Sequence, residues 1–195
     1  MTEKRERPTI EQLEREGRSP WKPATATDYL DDPGLYADVR GFFTRYLDMQ
    51  DPRYYDVLAA WTLHTWIIEQ WRATGPLCII GPISSGKTTI LECLEELARR
   101  GIRGGSMSNA TMFRLSDAFS PTLLIDESQI YNREEWAEVQ AFINERYRKG
   151  GRVWRVDQDY IPQSFKAYGA TASSPVRTAL GGADQQSYRS QDGER

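Results

Sequence analysis

Histidine and cysteine are nearly missing from this sequence: one histidine and two cysteines in 195 residues. No Cys/His group with zinc spacing exists, and two cysteines do not make a disulfide framework. Cys78 and Cys93 stand among apolar neighbours and are expected as small core hydrophobes in a reducing compartment. The N-terminus is charged and has no apolar h-region, so no secretory signal is read there. The most apolar stretch, Val57 to Ile68, is too short to span a bilayer. A cytoplasmic protein without a membrane partner is expected. A large charge excess is also lacking. The formal net charge is −3, so nucleic-acid binding would have to come from a local basic patch.

The length allows one medium-sized domain with ragged ends. Residues 1–34 are polar and rich in proline and read as a flexible leader, with a short helix around Ile10–Glu16 stopped by Gly17. From Leu35 an apolar stripe recurs at helical spacing: Leu35, Val39, Phe42, Phe43, Tyr46 and Leu47. Asp51-Pro52 opens a second helix with the stripe Tyr55, Leu58, Trp61, Leu63, Thr65, Ile68 and Trp71. Its aromatics are expected in helix packing, and His64 as a packed or capping residue.

Past Gly75-Pro76, the run Leu77–Ile80 reads as a strand buried on both faces. An amphipathic helix is expected from Lys87 to Arg100, with Gly101 stopping it and Arg99 and Arg100 at its negative end. A short strand within Ile102–Ser108, a small helix over Asn109–Ala118 and a buried strand over Pro121–Ile125 follow. Glu134–Lys149 is expected as a helix with Trp136, Val139, Phe142 and Ile143 inward. Arg152–Val156 and Phe165–Ala170 alternate like strands, and residues 181–195 read as a disordered tail. Alternating strands and helices imply an α/β domain with a mostly parallel sheet, preceded by two helices.

The chemistry concentrates in Gly81-Pro82-Ile83-Ser84-Ser85-Gly86-Lys87-Thr88-Thr89. Gly81 and Gly86 let the backbone wrap close to a phosphate with no Cβ in the way. Successive N–H groups from Ser84 to Thr88 then form an anion nest at the positive end of the next helix. Lys87 brings a point charge to the β and γ phosphates, and the Thr88 hydroxyl is a ligand for Mg²⁺. The cofactors expected are therefore ATP and Mg²⁺.

Leu123-Leu124-Ile125-Asp126-Glu127 is an apolar strand delivering acids at its C-terminal end. Asp126 suits a magnesium role, and Glu127 can take a proton from, or orient, the attacking water. The interval from Thr88 to Pro121 fits one helix, one strand and one more helix, which would seat Asp126 near the glycine loop. Phe165 to Ser173 reads as one strand ending in hydroxyls, with Thr171 first and Ser173 second as the residue sensing the γ-phosphate. Arg146, Arg148, Lys149, Arg152 and Arg155, interleaved with Tyr147 and Trp154, form a basic and aromatic cluster suited to DNA. Cations also belong at a helix C-terminus, so a purely structural role stays open. Arg177 and Arg189 are candidates to reach a neighbour's γ-phosphate.

Taken in order, the Gly81–Thr88 loop, the Asp126-Glu127 strand and the Thr171/Ser173 strand resemble the P-loop ATPases with an additional catalytic glutamate, the group holding AAA+ and RecA-like proteins. The helix Leu58–Trp71, the run Asn144–Val156 and Phe165-Lys-Ala-Tyr-Gly169 look more narrowly like helicase-type ATPases attached to primases of plasmids, phages and archaeal mobile elements. The resemblance covers residues 36–180 and implies a P-loop NTPase three-layer sandwich in an ATPase domain over 35–180. It also implies a homo-oligomeric motor acting on DNA during replication, with Gly150–Trp154 facing a central channel. The chain departs from that pattern by turning polar after Leu180. A slow nucleotide-dependent switch therefore stands beside the helicase-like reading, as does a small-molecule P-loop kinase, for whose Arg-rich lid Arg146–Arg155 could be taken.

Overall fold

The computed structural model describes residues 10–17, 33–82, 84–104, 107–126, 133–156 and 160–174. Helix α1 (Ile10–Arg15) is followed by α2 (Leu35–Tyr46) and α3 (Arg53–Trp66), then a 3₁₀ turn over Ile68–Gln70. Strand β1 (Leu77–Cys78), α4 (Lys87–Leu97), β2 (Gly101–Arg103), α5 (Asn109–Phe119) and β3 (Thr122–Asp126) come next. The described chain continues with α6 (Arg133–Arg146), β4 (Arg152–Val156), β5 (Pro162–Lys166) and β6 (Thr171–Ser174).

Four strands form an all-parallel sheet in the order β1-β6-β3-β2, and β4 and β5 pair as a separate antiparallel hairpin. The pleat of β3 divides the core. Leu124 points to one face, where Phe43 of α2, Leu58 of α3 and Ile90, Leu91 and Leu94 of α4 pack. Leu123 and Ile125 point to the other, against Met112 and Phe113 of α5, Val139 and Phe142 of α6, and Val153 and Phe165 of the hairpin. All five residues of β3 are buried, as a strand covered on both faces requires. The architecture is therefore α/β with helices on both faces of a parallel sheet.

Several elements differ from the sequence pattern. Strand β1 is only two residues long and, among the described strands, pairs with β6 alone. Cys78 is exposed and Ile80 is 61% exposed, so only Cys93 of the two cysteines lies in the core. On α2, Leu35 and Tyr46 are exposed, and Trp71 lies half in solvent beyond the 3₁₀ turn. His64 is packed as expected: its Nε2 lies 2.7 Å from the Thr74 hydroxyl and its ring sits against Trp71.

Helix α4 ends at Leu97, three residues early, because Ala98 turns extended. Gly101 is a strand residue rather than a helix stop. A Cβ there would lie 2.7 Å from the Glu95 carbonyl oxygen, so glycine permits the chain to pass against its own helix. Arg99 pairs with Glu69 at 2.7 Å, and Arg100 donates to the Phe119 carbonyl at the end of α5. Arg100 thus satisfies an orphan carbonyl of a different helix from the one expected.

The largest departure concerns Arg146. It ends α6 and is 1% exposed, so it does not belong to the surface cluster. Its Nε donates to the Thr171 hydroxyl at 2.9 Å. Nη1 donates to the Ser116 hydroxyl and the Ala167 carbonyl, and Nη2 to the carbonyls of Pro121 and Ala170. All five guanidinium N–H groups are matched by neutral oxygens. Burial lowers its pKa to about 9, so it remains a cation at neutral pH. Carbonyls turned inward at Ala167 and Ala170 break what read as one strand from Phe165 to Ser173 into β5 and β6. Gly169 is obligatory in this break, since a Cβ there would overlap the Arg146 guanidinium.

Arg146→Ala would leave these five oxygens facing a cavity. Such stranded buried groups cost about 1–3 kcal/mol each before relaxation, and loss of a buried charge network typically totals about 3–5 kcal/mol. Urea unfolding is expected to show a loss of that size; a loss under about 1 kcal/mol would contradict the assigned role.

Candidate nucleotide site

The loop between β1 and α4 leaves the carboxyl edge of the sheet, where open α/β folds bind ligands. Gly86 adopts φ +82° and caps α4 without bringing a side-chain acceptor to its first N–H groups. Ser84 also has positive φ, at 61°. Gly81 faces Ser85 so closely that a Cβ would lie 2.5 Å from its hydroxyl oxygen. The backbone is thus tightly curved at Ser84 and Gly86. Pro82, Ser84, Ser85, Thr88 and Thr89 are exposed along this loop and first turn. Ile83 lies outside the described residues.

Lys87 is half-buried at the start of α4. Its ammonium donates to the carbonyls of Gly81 and Pro82, at 3.0 and 2.5 Å, which fixes it over the loop. The Thr88 hydroxyl donates to Oδ2 of Asp126 across 38 residues of sequence, at 3.0 Å. Asp126 is 8% exposed at the end of β3. A hydroxyl and a carboxylate meeting beside the Gly81–Thr88 loop are hard oxygen donors of the kind Mg²⁺ takes. Thr88 and Asp126 therefore fit as holders of that ion, and its charge would offset that of the phosphates.

The hydroxyl residues on the neighbouring strand are ordered differently from the sequence reading. Thr171 opens β6 opposite Leu123 and is held by Arg146. It sits three residues below Asp126, about 10 Å at the usual strand rise, so it does not join the site. Ser174 pairs with Asp126 and shares its face of the sheet, whereas Ser173 pairs with Ile125 and faces the other way. Ser174 lies one residue beyond the Phe165–Ser173 run that reads as a strand in the sequence. Glu127, Arg177 and Arg189 lie outside the described residues.

The basic cluster divides along the hairpin. Arg148 and Lys149 lie at its base, where Lys149 donates to the Glu69 carbonyl at 2.8 Å. Arg152 bonds Ser164 and stands directly opposite Lys166. Trp154 points outward, 62% exposed. Arg155 turns to the opposite face, over the Phe113 ring at 4.6 Å and 3.6 Å from Glu138. Arg152 and Lys166 are directly opposed like charges, a pairing that costs stability in an antiparallel ladder. Among the described residues, no helix is long and apolar enough to cross a membrane.

No protein-family model matches this chain, and no curated protein matches its sequence.

Lys87→Ala removes the cation that these two carbonyls fix over the loop. A charge-assisted contact contributes about 1.5–3 kcal/mol, so ATP affinity is expected to fall about 10- to 100-fold in titration calorimetry. Unchanged affinity would exclude Lys87 from phosphate binding.

Proposed function

We propose that the protein binds Mg²⁺ and ATP at the Gly81–Thr89 loop and hydrolyses the nucleotide, coupling the cycle to the handling of DNA. The observation that carries this reading is the 3.0 Å contact between Thr88 and Asp126, which unites a phosphate-type loop with a strand-end carboxylate. Gly86 and Ser84 supply the backbone curvature, Lys87 the positive charge, and Thr88 with Asp126 the oxygen ligands for Mg²⁺. In the reaction, water attacks the γ-phosphorus, the bond to the β–γ bridging oxygen breaks, and ADP departs. Glu127, the next residue after Asp126, accepts the proton of the attacking water. Ser174, level with Asp126 on the adjacent strand, replaces Thr171 as the polar group next to the reacting phosphate.

The DNA part of the proposal rests on the hairpin, with Arg148, Lys149 and Arg152 for the backbone and Trp154 for stacking. A homo-oligomer, with Arg177 or Arg189 reaching the neighbouring site, belongs to the same reading. A lid-bearing kinase is less well supported, because Arg146 is buried and Arg155 packs on α5 rather than over the loop.

ATP turnover with and without single-stranded DNA tests the proposal. Stimulation by DNA is expected; stimulation only by a small acceptor indicates a kinase, and slow turnover in both conditions a switch. Glu127→Gln should bind ATP normally and hydrolyse it at least about 100-fold more slowly, the usual scale for removing a general base. Wild-type turnover in that variant would place the base elsewhere.

A further inference from the structure

A second site lies on the other face of the sheet from α4. Helix α5, helix α6 and the β4–β5 hairpin line a half-open cavity of about 290 Å³. Asn109, Arg114, Glu138, Arg155 and Gln163 supply its polar lining, with Phe113 behind them. Asn109 opens α5 after β2, and Glu138 lies early in α6 after β3. The cavity is therefore at the carboxyl edge of the sheet, the edge from which the nucleotide loop also departs.

Its centre is organised before any ligand arrives. The central carbon of the Arg155 guanidinium lies over Phe113, 4.6 Å from the ring centroid. Its Nη1 donates to the Trp154 carbonyl at 2.8 Å, and Glu138 approaches its Nη2 at 3.6 Å. The other oxygen of Glu138 accepts from the Asn109 amide at 2.7 Å. One carboxylate thus orients both a planar cation and a carboxamide. Gln163 adds a second carboxamide from β5.

A planar cation backed by an aromatic ring is a stacking platform for a heterocyclic base. Carboxamides carry a donor and an acceptor side by side, which suits the edge of an unpaired base. Glu138 can accept from an exocyclic amine. The cavity's size is near the lower end for small-molecule sites, suited to a single base and too small for a base pair. Trp154, Val156, Tyr160 and Ile161 expose apolar surface along and beside the hairpin, so a strand reaching the cavity would cross groups on which other bases can rest.

We propose that this cavity receives one unpaired base of a single DNA strand, stacked on Arg155 and read by Asn109, Gln163 and Glu138. The proposal rests on the DNA-handling reading given above and adds a specific base site to it. It also separates two tasks within the basic cluster: the hairpin base meets phosphates, and Arg155 meets a base.

The test measures binding of a fluorescein-labelled 20-nucleotide single strand with one central base, against a strand that is abasic throughout, by anisotropy. The full-length chain is used as wild type, Asn109→Ala and Gln163→Ala. A central base should tighten binding about 10-fold, in line with about 1–3 kcal/mol per stacked base. Each variant should lose most of that gain and keep its affinity for the abasic strand, which also shows that it is folded. Equal binding of both strands by the wild type overturns the base site and leaves phosphate contact standing. A gain retained by both variants overturns it as well. Failure of both strands to bind overturns the DNA reading together with this one. Competition by free deoxynucleoside monophosphates as effective as the base-bearing strand would assign the cavity to a free nucleotide and overturn the strand proposal.

Discussion

The approach of Thr88 to Asp126 brings together two segments that the chain makes separately, one on the first turn of α4 and one at the end of β3. They lie 38 residues apart in sequence. They meet because β1, β6 and β3 lie side by side in parallel register, with Cys78 level with Ser173 and Asp126 level with Ser174. A one-residue slip of β3 would turn Asp126 to the face of α5 and α6 and place Ile125 before the loop. Register is thus the constraint on which any chemistry at this edge depends. The apolar alternation of β3, with Leu124 fitting one core and Leu123 and Ile125 the other, enforces it.

Arg146 serves the same end from the opposite side of the domain. Its guanidinium gathers α5, the start of β3, the segment after β5 and the first residue of β6 around one cation. These are the segments that must be fixed for β6 to enter the sheet between β1 and β3. The interior thereby carries a charge that, among the described residues, is met by hydroxyls and inward-turned carbonyls. Such a network is costly when half made and rigid when complete. It explains how a segment as short as Thr171–Ser174 occupies a central sheet position.

Much of this was legible in the sequence, and for identifiable reasons. The strand Thr122–Asp126 announces itself as an unbroken apolar run ending in an acid. Helices α2, α3 and α5 follow apolar spacing, and Ser108 caps α5 as its residue type suggests, accepting from the Thr111 N–H. The bend at Gly86 was legible because the residue type that takes positive φ is a local signal. What escaped notice was long-range. No periodicity indicates that Arg146 is buried, since its partners lie 21 to 30 residues away and are mainly carbonyls. The split of the Phe165–Ser173 run follows from that burial, and with it the placement of Ser174, not Thr171, level with Asp126. The edge position of β1, which exposes Cys78 and Ile80, is likewise a property of strand order and not of the apolar run Leu77–Ile80. Asn109, Glu138 and Gln163 are ordinary surface residues in sequence and acquire meaning only through the cavity they share.

The most direct test of the central claim is a double-mutant cycle on Thr88 and Asp126, reading the gain in ATP affinity on adding Mg²⁺ by titration calorimetry. If the two side chains hold one ion, Thr88→Val and Asp126→Asn each lose most of that gain. The double variant then loses little more than either alone, giving a coupling of about 0.5–3 kcal/mol. Strictly additive losses, or a magnesium-dependent gain that survives in the Asp126→Asn variant, would contradict a shared magnesium site at this junction.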